Sequence, residues 1–148
     1  HREENKKLIA SNPLFISNYL FQTAYPDMRL SKVATIFKDF NVEDINNTIM
    51  NSDLFVLFDH PDGNDKLILS KDWKRNKLFY IVLYAQKKAI TLAELNEYMQ
   101  PLGHDANILP GINFYALGID VSRNYCWLRD RTAEPKGLIR KRRSRKKK

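Results

Sequence analysis

Nine cations and no acid fall within residues 136–148, KGLIRKRRSRKKK. The dense part is Arg140, Lys141, Arg142, Arg143, Arg145, Lys146, Lys147 and Lys148, and its chemistry is that of phosphate binding. Such a run displaces counterions from a nucleic acid and adds affinity, but it does not read base edges. It also reads as a nuclear localisation signal, and its plainest alternative is a solvated linker. Locating this charge changes the meaning of the formal net charge of +8. These residues hold nine of the 25 Lys and Arg residues, leaving 16 against 17 Asp and Glu, a net of −1 for residues 1–135. The basicity belongs to the tail and not to the fold.

Other reactive residue types are scattered. His60-Pro61-Asp62 copies the tripeptide of J-domain co-chaperones, but strand-prone runs flank it where that motif needs helices, so a turn is the better reading. Asp59, His60, Asp62 and Asp65 do not have calcium-loop spacing. His104-Asp105 beside Gly103 reads as a helix end. Cys126 lies between Tyr125 and Trp127 in a strand-like run, which favours core burial over nucleophilic chemistry. No glycine-rich phosphate loop and no Cys/His ligand cluster is present in the sequence, so neither a cofactor nor a metal is expected, nor an enzyme.

The elements that must carry these residues follow from periodicity. Residues 1–10 are polar, a lead-in or the outer turns of a first helix. Asn12-Pro13 starts that helix by capping and by proline at its first position, and Tyr25-Pro26 stops it. Met28-Arg29-Leu30 reads as a short extended piece. Ser31 is expected to cap a second helix with Leu30, Val33, Ile36, Phe37 and Phe40 on one face. Asn41 caps a third, 42–51, with Glu43 and Asp44 at its dipole-favoured first turn. Leu54–Phe58 and Lys66–Leu69 form a hairpin about Pro61-Asp62-Gly63.

A polar hinge about Trp73 follows, and then the apolar layout repeats. Asn76 to Lys88 is a helix apolar around most of its circumference, expected to pack on both copies. Thr91 with Glu94 is a capping box. Pro110 to Leu117 is expected as the third helix of the copy, and 119–121 with 125–128 as its hairpin. The two hairpins are the only sheets expected.

With 43% hydrophobic residues the chain can bury a core, and a single cysteine excludes an internal disulfide framework and favours a reducing compartment. The longest apolar run, 78–85, is too short to cross a bilayer, and no membrane partner is expected. No signal peptide is visible at HREENKK. The chain opens on His1, so it reads as a piece of a longer protein.

Two surfaces follow. Lys74, Arg75, Lys77, Arg123 and Arg129 are the cations of the fold that could meet phosphates, and Phe55, Phe58, Tyr80, Tyr84, Tyr115, Tyr125 and Trp127 could include stacking partners for bases. Most of these aromatic residues lie on the apolar periodicity, so core packing comes first, and only those exposed beside the cations would favour nucleic acid. The helix at 42–51 holds two acids and no Lys or Arg, so it is a poor groove reader. Asn46 and Asn47 on it, and Phe114 and Tyr115 in the second copy, suit a protein partner better. Nucleic acid, DNA or RNA, ranks first for the whole chain and protein docking first for the modules alone.

The helix–helix–helix–hairpin order of 12–70 resembles the winged-helix superfamily, and 74–131 resembles a second copy. Small winged-helix modules of RNA-regulatory proteins, such as the LOTUS type, are similar in size and in their final hydrophobic strands. The resemblance implies an α+β, mainly helical chain with modules at 11–72 and 74–132, three helices plus a β-hairpin each. A disordered basic tail, 133–148, would follow. Winged helices bind DNA, RNA or protein, so the fold alone does not choose. The expectation is a nuclear, non-catalytic regulatory factor.

Overall fold

A computed structural model of the chain describes residues 2–104 and 111–131. It is α+β, with six α-helices and two small antiparallel sheets among the described residues. The basic tail lies outside them.

Helix α1, Arg2–Ala10, is an element of its own and not the outer turns of the next. Helix α2, Pro13–Ala24, restarts where Asn12 Oδ1 accepts from the amides of Leu14 and Phe15, with proline at the first turn. The expected second helix is broken. A 3-10 turn at Leu30–Lys32 leads into the four-residue α3, Val33–Ile36. Ser31 does not cap it: its amide and hydroxyl donate instead to Asp65, across the fold. Phe37 and Phe40 then leave the helical path and pack edge to face, with Phe37 also 4.8 Å from the Tyr19 ring. Aromatic packing overrides helix propensity here. Helix α4, Val42–Asn51, is capped by Asn41 as its sequence predicts and buries Ile45 and Ile49.

Strands β1, Phe55–Asp59, and β2, Lys66–Ser70, pair from Phe55↔Ser70 to Asp59↔Lys66. Arg29 bridges antiparallel to Leu67, and the Ile68 amide donates to Met28 O, so an extended piece at 28–29 lies against β2, shorter than expected because Leu30 starts the 3-10 turn.

Helix α5, Arg75–Ala85, buries Leu78, Phe79, Ile81, Val82, Leu83 and Ala85, as a helix apolar on most sides must. Strand β3, Ile90–Thr91, is not expected from the sequence. It pairs with β5 and makes the second sheet three-stranded, in the order β3-β5-β4. Two residues are too few for a period-two signal. Helix α6, Leu92–Met99, begins at the Thr91–Glu94 capping box. The expected third helix of this half is not an α-helix in its described part, where Tyr115–Leu117 is a single 3-10 turn after Gly111. The hairpin β4, Ile119–Ser122, and β5, Tyr125–Leu128, turns on Arg123 and Asn124, both at positive φ, as a tight two-residue turn requires.

The two halves thus share one order: a helix, a short extended piece, helical turns, then a hairpin whose last strand pairs with the short piece. One contiguous core runs through both, from Ala10 to Leu128. Trp73 belongs to that core and not to a polar hinge. It is 5% exposed, and its indole N–H donates to Ser17 O at 3.2 Å.

Asp27 fixes the corner after α2. It accepts from Arg29 Nε and Nη2 at 2.8 and 2.7 Å and lies 3.2 Å from Lys32 Nζ. Burial pushes its pKa up, but hydrogen bonds from Arg29 and Lys32 outweigh burial and hold the carboxyl below its ordinary value. A carboxylate depressed in the folded state stabilises above its unfolded pKa, and that stabilisation is lost as pH falls through the folded one. Asp27→Asn is therefore expected to lower stability at neutral pH. In urea titrations over a pH series, its deficit against wild type should shrink below about pH 4, near the unfolded carboxyl pKa. A deficit constant down to about pH 2 would show that the pairing is not its source.

Candidate nucleic-acid interface

The geometry of the site begins with aromatic rings that the fold leaves at its surface. Tyr115, in the turn before β4, is 76% exposed. The Arg129 guanidinium lies 4.1 Å from its ring centroid, donates from Nη2 to Tyr115 O at 3.2 Å, and is held from the other side by Asp120 Oδ1 at 2.9 Å. Arg129 thus presents a fixed plane over one face of an exposed tyrosine. Its amide also donates to Gly118 O, which fixes the β5 end against the turn.

A second cation–aromatic pair sits beside it. Arg131 lies 3.7 Å from the Tyr84 centroid and donates from Nε to Tyr84 O at 2.6 Å. Tyr80 and Tyr84 project from α5 one turn apart and stack at 6.3 Å; Tyr25 continues the stack at 5.3 Å and Phe21 at another 5.3 Å. The i,i+4 spacing of the two α5 tyrosines places them on one face. Lys77 Nζ is 5.5 Å from the Tyr25 centroid. Burial first, and the neighbouring Tyr80 second, push the Tyr25 hydroxyl up to about 12, so it stays protonated at neutral pH. Tyr80, Tyr84, Gly118, Leu128, Asp130 and Arg131 line a pocket of about 360 Å³ between α5 and the end of β5.

The cations named from the sequence therefore separate. Arg129 and Lys77 each join an aromatic ring. Lys74 is exposed just before α5, and Arg75 is half-buried in its first turn. Arg123 is exposed at the β4–β5 turn, two positions before Tyr125, which is 42% exposed and pairs with Ser122 across the hairpin. Arg140 to Lys148 lie outside the described residues. Sequence reasoning misses Arg131, because nothing local links it to Tyr84, 47 positions away.

Of the aromatic side chains that could stack on bases, Phe55 and Trp127 are buried, and Phe58 packs 4.8 Å from Tyr98. Phe114 packs 6.0 Å from Phe79 in the core cluster, while its neighbour Tyr115 faces water. On α4, Asn47 is exposed, and Asn46 is half-buried with Oδ1 unpaired among the described residues.

The remaining reactive side chains have local roles. His60 is buried in the β1–β2 loop, where Nδ1 accepts from the Asp62 amide at 3.0 Å; the tripeptide is a turn between strands. Asp62 in turn faces Arg29, His60 and Lys87 at 3.7, 3.6 and 3.2 Å. His104 follows Gly103, whose φ of +94° ends the turn after α6, and Asp105 lies outside the described residues. Cys126 is buried, and burial, with Glu94 second, pushes its thiol up to about 12, away from nucleophilic use. Among the described residues no three His, Cys, Asp or Glu side chains group as metal ligands. No described helix is long and apolar enough to cross a membrane.

No family model matches this chain, and no curated protein or solved structure does either.

Proposed function

We propose that this chain is a nuclear, non-catalytic, nucleic-acid-associated factor of two winged-helix-like modules, 11–72 and 74–132, followed by a phosphate-binding tail. The module reading is supported by the strand order that the halves share, a short piece against the last strand of a hairpin. The binding reading is carried by one observation: Tyr115 is 76% exposed and has Arg129 stacked on it. A cation fixed on an exposed aromatic ring offers a nucleic acid both a phosphate contact and a stacking plane. The covalent chain supports it further, since the basic run 140–148 begins nine positions after Arg131 in the sequence.

The test is binding of the full chain to labelled DNA and RNA across a salt series. Affinity falling steeply and linearly in log salt is the expected result, because counterion release is the source of that slope. No binding at low salt to either polymer would overturn the reading.

A second reading, protein docking, is favoured by a different surface. Ser11, Pro13, Asn47, Thr48, Asn51 and Ser52 line a groove where α1, α2 and α4 meet, and Leu14 and Met50, chain neighbours of that lining, are exposed. Exposed apolar side chains with a polar rim suit a protein partner. In this reading the tail only delivers the fold to the nucleus, and the same salt series shows no binding that depends on the aromatic face.

A further inference from the structure

We infer that the ligand of this face is a single strand, with an unpaired base stacked on the outer side of Tyr115 and another received by the Tyr84–Arg131 pocket. The inference rests on the nucleic-acid reading above and names the class of polymer. Three observations carry it.

Among the described residues, Arg129 covers one face of Tyr115, and a ring 76% exposed has its other face open to a π-system. In a duplex, base faces are already stacked on one another, and only edges and phosphates are presented. An exposed ring is used fully only by a base that has left its stack.

The pocket beside Tyr84, about 360 Å³, is of the size that small planar ligands occupy, at the small end of the usual range of roughly 300–1,000 Å³. Its lining includes Tyr80, Tyr84 and Arg131, whose guanidinium lies 3.7 Å from the Tyr84 ring centroid. These side chains are planar and favour a flat guest.

Asp130 lines the same pocket and sets the guest's orientation. A carboxylate repels phosphate but accepts hydrogen bonds from the amino and imino groups of bases. A nucleotide therefore enters base first, leaving its phosphates outside, where Arg129, Lys77 and the basic run that follows Arg131 meet them. The net charge of −1 over residues 1–135 agrees with this division: the folded surface takes the bases with a few phosphate contacts, and most of the cationic charge is in the tail.

The experiment uses the full chain with a fluorescent single-stranded RNA, the DNA strand of the same sequence, and the corresponding duplex. Tyr115→Ala and Arg131→Lys are compared with wild type; the second keeps the charge and removes the plane. Each variant is expected to weaken single-strand binding by about tenfold, the equivalent of one base stack removed. Duplex affinity and the salt slope should stay as in wild type. Tyr115→Phe should bind as wild type. A 2-aminopurine placed in the strand should be quenched by wild type and less so by Tyr115→Ala.

If tail-dependent binding persists but Tyr115→Ala and Arg131→Lys leave single-strand affinity unchanged, or weaken strand and duplex alike, the single-strand inference is overturned and the nucleic-acid reading stands. If wild type binds none of the three polymers, both fall. The RNA and DNA arms separate the two sources of a single strand: recognition of the 2′-hydroxyl would show as preference for RNA.

Discussion

A chain ending at residue 135 is expected to bind a single strand about a thousandfold more weakly than the full chain at roughly 100 mM salt, with a much shallower salt dependence. The deletion removes nine cations and no acid, leaving a body with a net charge of −1. For single strands, log affinity against log salt has a slope of about 0.7 for each phosphate neutralised, so removing nine cations would flatten it by up to about 6. The fold should be untouched, because the core ends at Leu128 and the last side chain described, Arg131, packs on Tyr84. Equal thermal unfolding of the two chains is therefore the control. Affinity and slope that survive the deletion would move phosphate binding onto Lys74, Arg75, Lys77, Arg123 and Arg129. Weaker binding with an unchanged slope would mean that the tail acts by something other than its charge.

What local sequence predicts and what it does not are divided by the distance over which residues interact. Asn12, Asn41 and the Thr91–Glu94 pair each bond within three residues, and each helix start that they predict is present. Both hairpins are likewise local, and their turn residues and apolar runs are legible directly. Several of the differences are long-range. Ser31 stands at the right position for a cap, but Asp65, 34 residues on, competes for the same hydroxyl and amide. Strand β3 exists because β5 offers Ile90 and Thr91 an open edge, and no pattern within two residues can show it. Trp73, among charged neighbours, reads as the centre of a polar hinge until α2 is folded against it. The candidate site follows the same rule. Arg129 and Tyr115 both stand out in the sequence, the one as a phosphate contact and the other as a candidate for base stacking or for a protein partner, but only the fold stacks one on the other. The pairing of Arg131 with Tyr84 leaves no sequence signal at all.

Trp73→Ala is expected to destabilise the chain by about 3–5 kcal/mol, the usual cost of removing a buried large aromatic side chain. For a domain near 150 residues that corresponds to a melting point lower by roughly 10 °C. The size follows from its position. Trp73 lies between the two halves in sequence, is 5% exposed, packs 5.6 Å from Phe21 of α2 and donates to Ser17 O. Beside it, the buried Ser17 and Ser70 hydroxyls bond each other at 2.7 Å, and the Ser70 hydroxyl also accepts from the Asp72 amide. The cavity would therefore open where α2, β2 and the start of α5 converge. Trp73→Phe keeps a ring against Phe21 and loses one N–H donor, so it should cost far less, about 1 kcal/mol from the hydrogen bond plus whatever volume the smaller ring leaves unfilled. The measurement also decides whether the halves fold together. In Trp73→Ala the only tryptophan left is Trp127, buried in β5 of the second half. With one continuous core, its fluorescence transition in urea should shift to lower denaturant and coincide with the loss of helical circular dichroism. If Trp127 instead unfolds at the denaturant concentration seen in a Trp73→Phe chain while circular dichroism drops earlier, the halves are separate folding units, and the packing across Trp73 contributes to the first alone.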